Sequence, residues 1–169
     1  MTIAHGLLQE LEQEAATTRR LLERIPDGRT SWRPHEKSWT LGELAMHIAM
    51  VPGGVAEFVA LPSPVQAPDF PTPPAAPNTA ELLRRFDESI AKARTVLTGM
   101  SDAAATEMWK MVAGDREVLA MPRVAFLRAI MLNHWYHHRG QLSVYLRLLG
   151  VPLPSIYGPT ADENPFAQA

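Results

Sequence analysis

Apolar residues recur every three or four positions over four stretches of the chain, and that spacing predicts amphipathic helices. The first runs from Ile3 to about Arg24, with Ile3, Leu7, Leu11, Ala15, Leu21, Leu22 and Ile25 on its stripe, and Pro26-Asp27-Gly28 ends it. The second opens at Thr40-Leu41-Gly42-Glu43, a Thr-x-x-Glu capping box in which hydroxyl and carboxylate reciprocally satisfy free backbone donors. Its inward stripe is Leu41, Leu44, Ile48, Val51 and Val55, and Pro52-Gly53-Gly54 is expected to kink or interrupt it. A second capping-box pattern, Asn78 to Glu81, precedes Leu82, Leu83, Phe86, Ile90, Ala93, Val96 and Leu97, with Gly99 near the exit. The last helix runs from Pro122, suited to a first turn, to Gly150, with Pro152 beyond it as a stop.

The intervals between these stretches settle the expected architecture. Prolines at 62, 64, 68, 71, 73, 74 and 77 exclude a helix or a central strand and imply a long extended connection. The helices before it are too few to close a core alone, so it reads as a crossover inside one unit. Ser101 to Ala120 is mixed, with a helical turn at Asp102 to Thr106 and then a small hairpin or irregular segment around Gly114-Asp115. The expectation is therefore an all-α four-helix bundle with a long crossover and a small irregular or hairpin segment before the last helix. It forms one domain over residues 1–169, with a loosely ordered tail over 159–169.

Composition narrows the chemistry. The chain has 169 residues, enough for one core, and no run approaches the roughly 20 uninterrupted apolar residues of a membrane span. The formal charge is −2, with Lys and Arg scattered among Asp and Glu, so neither nucleic acid nor a membrane surface is an expected partner. Met1 to Gly6 runs straight into a pattern containing Glu10, Glu12 and Glu14, without the basic and apolar regions of an export signal, and the expected compartment is the cytoplasm. The chain has no cysteine, which excludes thiolate ligands and a cysteine nucleophile. Any metal site must use histidine, carboxylate or water.

On the last helix Leu127, Met131, His134, His138, Leu142, Tyr145 and Leu149 fall within about 40° of one line at 100° per residue. His134 and His138 stand one turn apart on that stripe, where two imidazoles can converge on one ion. His47, at the edge of the second helix's apolar stripe, can also look inward. His137 lies about 100° off the His138 line and is the weaker ligand candidate, better suited to the rim. Gln141 borders the stripe and can orient a ligand, whereas the same wheel leaves Arg139 more exposed. Trp135, Tyr145 and Tyr157 read first as core aromatics and second as pocket walls, and Trp32, Trp39 and Trp109 as plugs at the bundle ends.

The segment His134-Trp135-Tyr136-His137-His138-Arg139-Gly140-Gln141-Leu142, continuing through Tyr145 to Pro154 and Tyr157-Gly158, resembles the C-terminal signature of the DinB/YfiT-like superfamily. Ser38 to Ala49, with Trp39, Gly42, Glu43 and His47, is similar to that family's second-helix motif, in the expected order. The resemblance implies a four-helix bundle, a homodimer, and one divalent metal ion, nickel or zinc, held by His47, His134 and His138. The family's name does not imply DNA binding. The resemblance also implies a thiol-dependent S-transferase acting on electrophilic small molecules with a low-molecular-weight thiol as cosubstrate. The alternatives are a metal-dependent hydrolase and a non-enzymatic metal-binding stress-response protein. Three neutral imidazoles leave coordination positions open, as catalytic sites do. No carboxylate on the last helix offers itself as a general base; Glu43 reads as a cap and Glu57 as solvated, which leaves His137 as the candidate base for hydrolysis.

Overall fold

Side-chain caps start the long helices where the sequence places them. In the computed structural model, which describes residues 2–69 and 71–167, α1 spans Ile3–Leu22, α2 Leu41–Ala60 and α3 Thr79–Gly99. Both halves of the Thr40 capping box form: Thr40 Oγ1 accepts from the Glu43 amide at 3.2 Å and Glu43 Oε2 accepts from the Thr40 amide at 2.7 Å. Asn78 Oδ1 accepts from the Glu81 amide at 2.8 Å, but the Glu81 carboxylate turns to Arg84 and Arg85, so that box is half made.

α2 does not break at Pro52, contrary to expectation. A helical proline removes one amide and pushes on the carbonyl four residues earlier, here Ile48. That carbonyl accepts from the indole N–H of Trp135 at 2.9 Å. The next amide, Gly53, donates to Ser89 Oγ at 2.8 Å, and Ser89 donates back to the Met50 carbonyl at 3.2 Å. Gly53 is required for this approach, since a Cβ there would lie 2.6 Å from the Ser89 carbonyl oxygen. Neighbouring helices thus satisfy the backbone groups that proline frees, and α2 continues for another two turns. Its end is held by buried Arg123, which donates to the carbonyls of Val59 and Leu61 and pairs with Glu107 at 3.1 Å.

The all-α expectation is corrected by a three-stranded sheet. β1 (Val65–Gln66) pairs in parallel with β2 (Met108–Ala113), which pairs antiparallel with β3 (Arg116–Pro122). The short helix α4 (Asp102–Thr106) precedes it. The hairpin turns at Gly114-Asp115, where Gly114 takes φ +61°, as the first central position of a type II′ turn requires. The proline-rich connection supplies an edge strand only two residues long, a length and place that tolerate flanking prolines. The Ala67 amide extends the pairing to the Val112 carbonyl at 2.7 Å. Fully buried Trp109 carries the sheet's inner face against Phe58 and Phe126, so it belongs to the core and is no end plug.

The final helical run is continuous but not uniform. It comprises α5 (Arg123–Phe126), a π-helical stretch (Leu127–Asn133) and α6 (His134–Leu148). The His134 amide reaches back five residues to the Ala129 carbonyl, the widened bonding that defines a π turn. Beyond that turn the fully buried line is Trp135, Arg139, Leu142 and Leu146; Leu142 is shared with the uniform wheel, and the other three stand one residue later than it gives. His134, His138 and Tyr145 are consequently half-buried at the edge of the core.

Arg139, expected to be exposed, is buried instead. It pairs with Glu14 of α1 at 2.6 Å, donates to Thr18 Oγ1 at 3.1 Å and to the Tyr157 hydroxyl, and lies between the Tyr136 and Tyr157 rings. α2 is the one helix among the described residues long and apolar enough to cross a membrane by length and composition, and here most of it is buried. Of the tail, Asp162 pairs with Arg147 and Glu163 with Arg20, while residues 168 and 169 lie outside the described residues.

Candidate metal centre

Two helices and one loop build the site. α2 presents His47 two turns after its cap, and α6 presents His134 and His138 on successive turns. The hydrogen bond from Trp135 to Ile48 joins the residues that directly follow His134 and His47, so it fixes the two histidine-bearing turns against each other. Trp39, in the loop before α2, stacks on His138 at 5.7 Å between ring centroids and meets His47 edge-on at 4.9 Å. Its sequence position suggests a plug at a bundle end, and the structure makes it a wall of the centre.

One ring nitrogen from each of His47, His134 and His138 lies within 4.8 Å of the others. The Nε2 atoms of His134 and His138 are 2.7 Å apart and face each other. Nδ1–H of His138 donates to Gln141 Oε1 at 2.8 Å, which leaves its Nε2 lone pair directed at the cluster. His47 Nε2 and His134 Nδ1 are buried without a hydrogen-bond partner. Buried polar atoms rarely stay unpaired, and an unpartnered nitrogen on His47, whose ring lies 5.1 and 4.5 Å from those of His134 and His138, is one that a bound cation would satisfy. Zinc and similar ions bond imidazole at about 2.0–2.1 Å, so the three nitrogens need only side-chain rotation to share one. The residues present fit a divalent ion.

The site keeps its imidazoles neutral, as ligation requires. His47 is held down to about 4, chiefly by burial and then by the neighbouring His138 and His134. His134 is lowered by burial and by His137, against the opposing pull of the Ile130 carbonyl, which is close but outside hydrogen-bond geometry. His138 is lowered by burial, with Gln141 opposing and His134 and His137 adding to the shift.

The other candidates fall around this cluster. His137 is exposed, its ring 5.0 Å from that of His138, and it is outside the group of converging nitrogens. Tyr145 donates to the Trp39 carbonyl at 3.3 Å and packs edge-on to Trp32, bracing the loop that carries Trp39. Glu43 is spent in its cap and Glu57 pairs with Lys92 at 3.0 Å, so neither carboxylate reaches the centre.

Beside His47 and His134 opens a cavity of about 590 Å³ that sequence reasoning did not foresee. Val55 and Phe58 of α2, Met111 and Leu119 of the hairpin, and Phe126 and Ile130 of the final helical run line it. Met111 and Leu119 come from the sheet and Ile130 from the π stretch, which the helical periodicity does not report. A second cleft of about 240 Å³, beyond Trp39, contains His138 together with Lys37, Ser38, Gln141 and Tyr145.

Comparison with known proteins gives this arrangement its relatives. The uncharacterized Bacillus subtilis protein YrdA is 28% identical over 162 residues, covering 96% of this chain and 92% of that protein. A DinB-like protein of Bacillus cereus superposes with a TM-score of 0.71 at 23% identity, over 90% of this chain and 97% of that one. YjoA, a DinB-like protein of B. subtilis, superposes with a TM-score of 0.64 at 20% identity, over 89% and 97%. These likenesses carry the fold; membership rests on the sequence. The DinB family model matches residues 1–165, both histidine-bearing helices included, and the chain belongs to the DinB family.

Proposed function

We propose that this protein is a divalent-metal-dependent enzyme, with nickel or zinc held by His47, His134 and His138, that transfers the sulfur of a low-molecular-weight thiol to an electrophilic small molecule. The observation that carries the reading is the cluster of three neutral, incompletely hydrogen-bonded imidazoles at the end of an open cavity. A divalent ion there supplies Lewis acidity that keeps a thiol in its nucleophilic thiolate form. The chain's part is to hold and orient. Gln141 fixes His138, the Trp135–Ile48 bond fixes the spacing of the helices, and Trp39 closes one side of the centre against water. In the reaction the thiol proton passes to solvent, a carbon–sulfur bond forms, and the leaving group departs with its electron pair. No protein nucleophile is needed, in keeping with a chain that has no cysteine.

Hydrolysis is the weaker reading because it requires a base beside the bound water, and the two carboxylates nearest in sequence to His47 are engaged elsewhere. A homodimer in the cytoplasm completes the proposal. Metal analysis of the purified protein, followed by thiol and electrophile screening with 1-chloro-2,4-dinitrobenzene as first acceptor, tests it. Thioether formation that a chelator abolishes and nickel or zinc restores supports transfer. Chelation that lowers only the melting temperature, with no turnover in any pairing, supports a non-enzymatic binding protein instead.

A further inference from the structure

We infer that the cavity beside His47 and His134 binds an uncharged, hydrophobic small molecule, with its reacting group at the histidine end. This rests on the reading of the histidine cluster as a reactive centre and names the class of molecule presented to it.

Small-molecule sites usually have volumes of about 300–1,000 Å³, and this cavity of about 590 Å³ falls within that range. A dry cavity of roughly 150 Å³ already accepts benzene, so this one accommodates a bicyclic aromatic or a chain of about ten carbons. No Lys, Arg, Asp or Glu side chain lines it, and its titratable groups are the two histidines at one end. Away from the histidine end, a charged group would lose its hydration there without gaining a partner.

The walls also differ from ordinary core. Val55, Phe58, Met111 and Leu119 are only half-buried although they pack on fully buried neighbours, and Ile130 is 37% exposed at the mouth. Their remaining apolar surface faces the cavity, where a hydrophobic ligand would complete its burial. The polar groups near the histidines, Lys37 and Gln141 among them, stand in the separate cleft beyond Trp39. The two sides of the centre therefore admit different chemistry: an apolar acceptor from one and a polar cosubstrate from the other.

A matched pair of fluorescent probes tests this on the intact protein. N-phenyl-1-naphthylamine is neutral, and 1-anilinonaphthalene-8-sulfonate is the same skeleton carrying one sulfonate. Titration of both into metal-loaded and chelator-treated protein should show saturable binding of the neutral probe and at least about ten-fold weaker binding of the sulfonate, a difference of about 1.4 kcal/mol. Leu119→Lys should weaken the neutral probe by a similar factor while metal content is unchanged. Ile130→Glu, at the exposed mouth, serves the same purpose should the strand variant fail to fold. Equal binding of the two probes, no binding of the neutral one, or folded variants that bind it unchanged would overturn the inference. The metal reading fails separately: neutral-probe binding in a protein that takes up no nickel or zinc would remove the ion and leave the cavity's specificity intact.

Discussion

Removing the charge of Arg139 should destabilise the protein far more than any other single change to its ion pairs. The guanidinium and the Glu14 carboxylate are 2% and 8% exposed, and their 2.6 Å contact joins α6 to α1. Arg139→Leu would leave a buried carboxylate that keeps the hydrogen bond from the Tyr157 hydroxyl and loses its charge partner. Breaking a buried pair by removing one partner costs about 3–5 kcal/mol, because the survivor keeps its desolvation penalty. For a domain of this size that is a fall of roughly 6–20 °C in Tm. Lys92→Met provides the internal comparison. Its pair with Glu57 is 55% and 50% exposed and should contribute under about 1 kcal/mol. The double variant Glu14→Leu/Arg139→Leu should recover most of the loss, since it removes both charges and fills the space with apolar volume. Urea unfolding of all four proteins with chelator present separates this effect from metal binding. An Arg139→Leu variant within about 1 kcal/mol of the parent, like the exposed pair, would refute the buried arrangement.

Three further outcomes follow from the same geometry. His47→Ala, His134→Ala and His138→Ala should each lose bound nickel or zinc, measured by inductively coupled plasma mass spectrometry after gel filtration, while His137→Ala keeps most of it; equal loss in all four would return His137 to the ligand set. In the metal-free protein, His47 is lowered to about 4 from an ordinary value near 6.5, so the unfolded chain binds more protons between those limits. Its contribution is complete above about pH 6.5 and is lost as the pH falls towards 4. That loss is about 1–2 kcal/mol once its partial exposure is allowed for. Melting curves in chelator at pH 7.5 and 5 check this, and a protein more stable at pH 5 would contradict it. Trp135→Phe should cost about 1–3 kcal/mol by stranding the Ile48 carbonyl. Adding Pro52→Ala restores an amide to that carbonyl, so a double-mutant cycle should show favourable coupling.

The candidate ligands were legible in the sequence because their placement depends on local geometry. His134 and His138 are four apart on one helix, and His47 follows a capping box that pins the start of α2. The neighbours of those ligands were not. A wheel at a constant angle per residue cannot register a π turn, so it placed Arg139 outside and moved the buried line off Trp135. The hairpin left a weak trace because β3 carries an extra residue between Leu119 and Glu117, which disturbs the two-residue alternation. β1 has no signal of its own, being two residues whose pairing is decided by β2. Pro52 reads locally as a break, and only Trp135 and Ser89, 83 and 37 positions away by their numbering, show why it is not.

These departures from regular pattern meet in one place. The π stretch carries Ile130 and sets His134 at the edge of the core; a uniform α-helix would turn that position further inward. The proline frees the carbonyl through which α6 is fixed to α2 beside both histidines. The sheet supplies Met111 and Leu119, without which the cavity would lack its far wall. Sequences that fold smoothly keep local preference and global structure in agreement, and exceptions concentrate where function demands them. Here the exceptions that defeat periodicity are the same ones that open a space next to three imidazoles. A regularised chain, with the π turn removed by deleting one residue between Leu127 and Asn133, would return His134 to the core line and close that space. Its metal content and its probe binding should fall together.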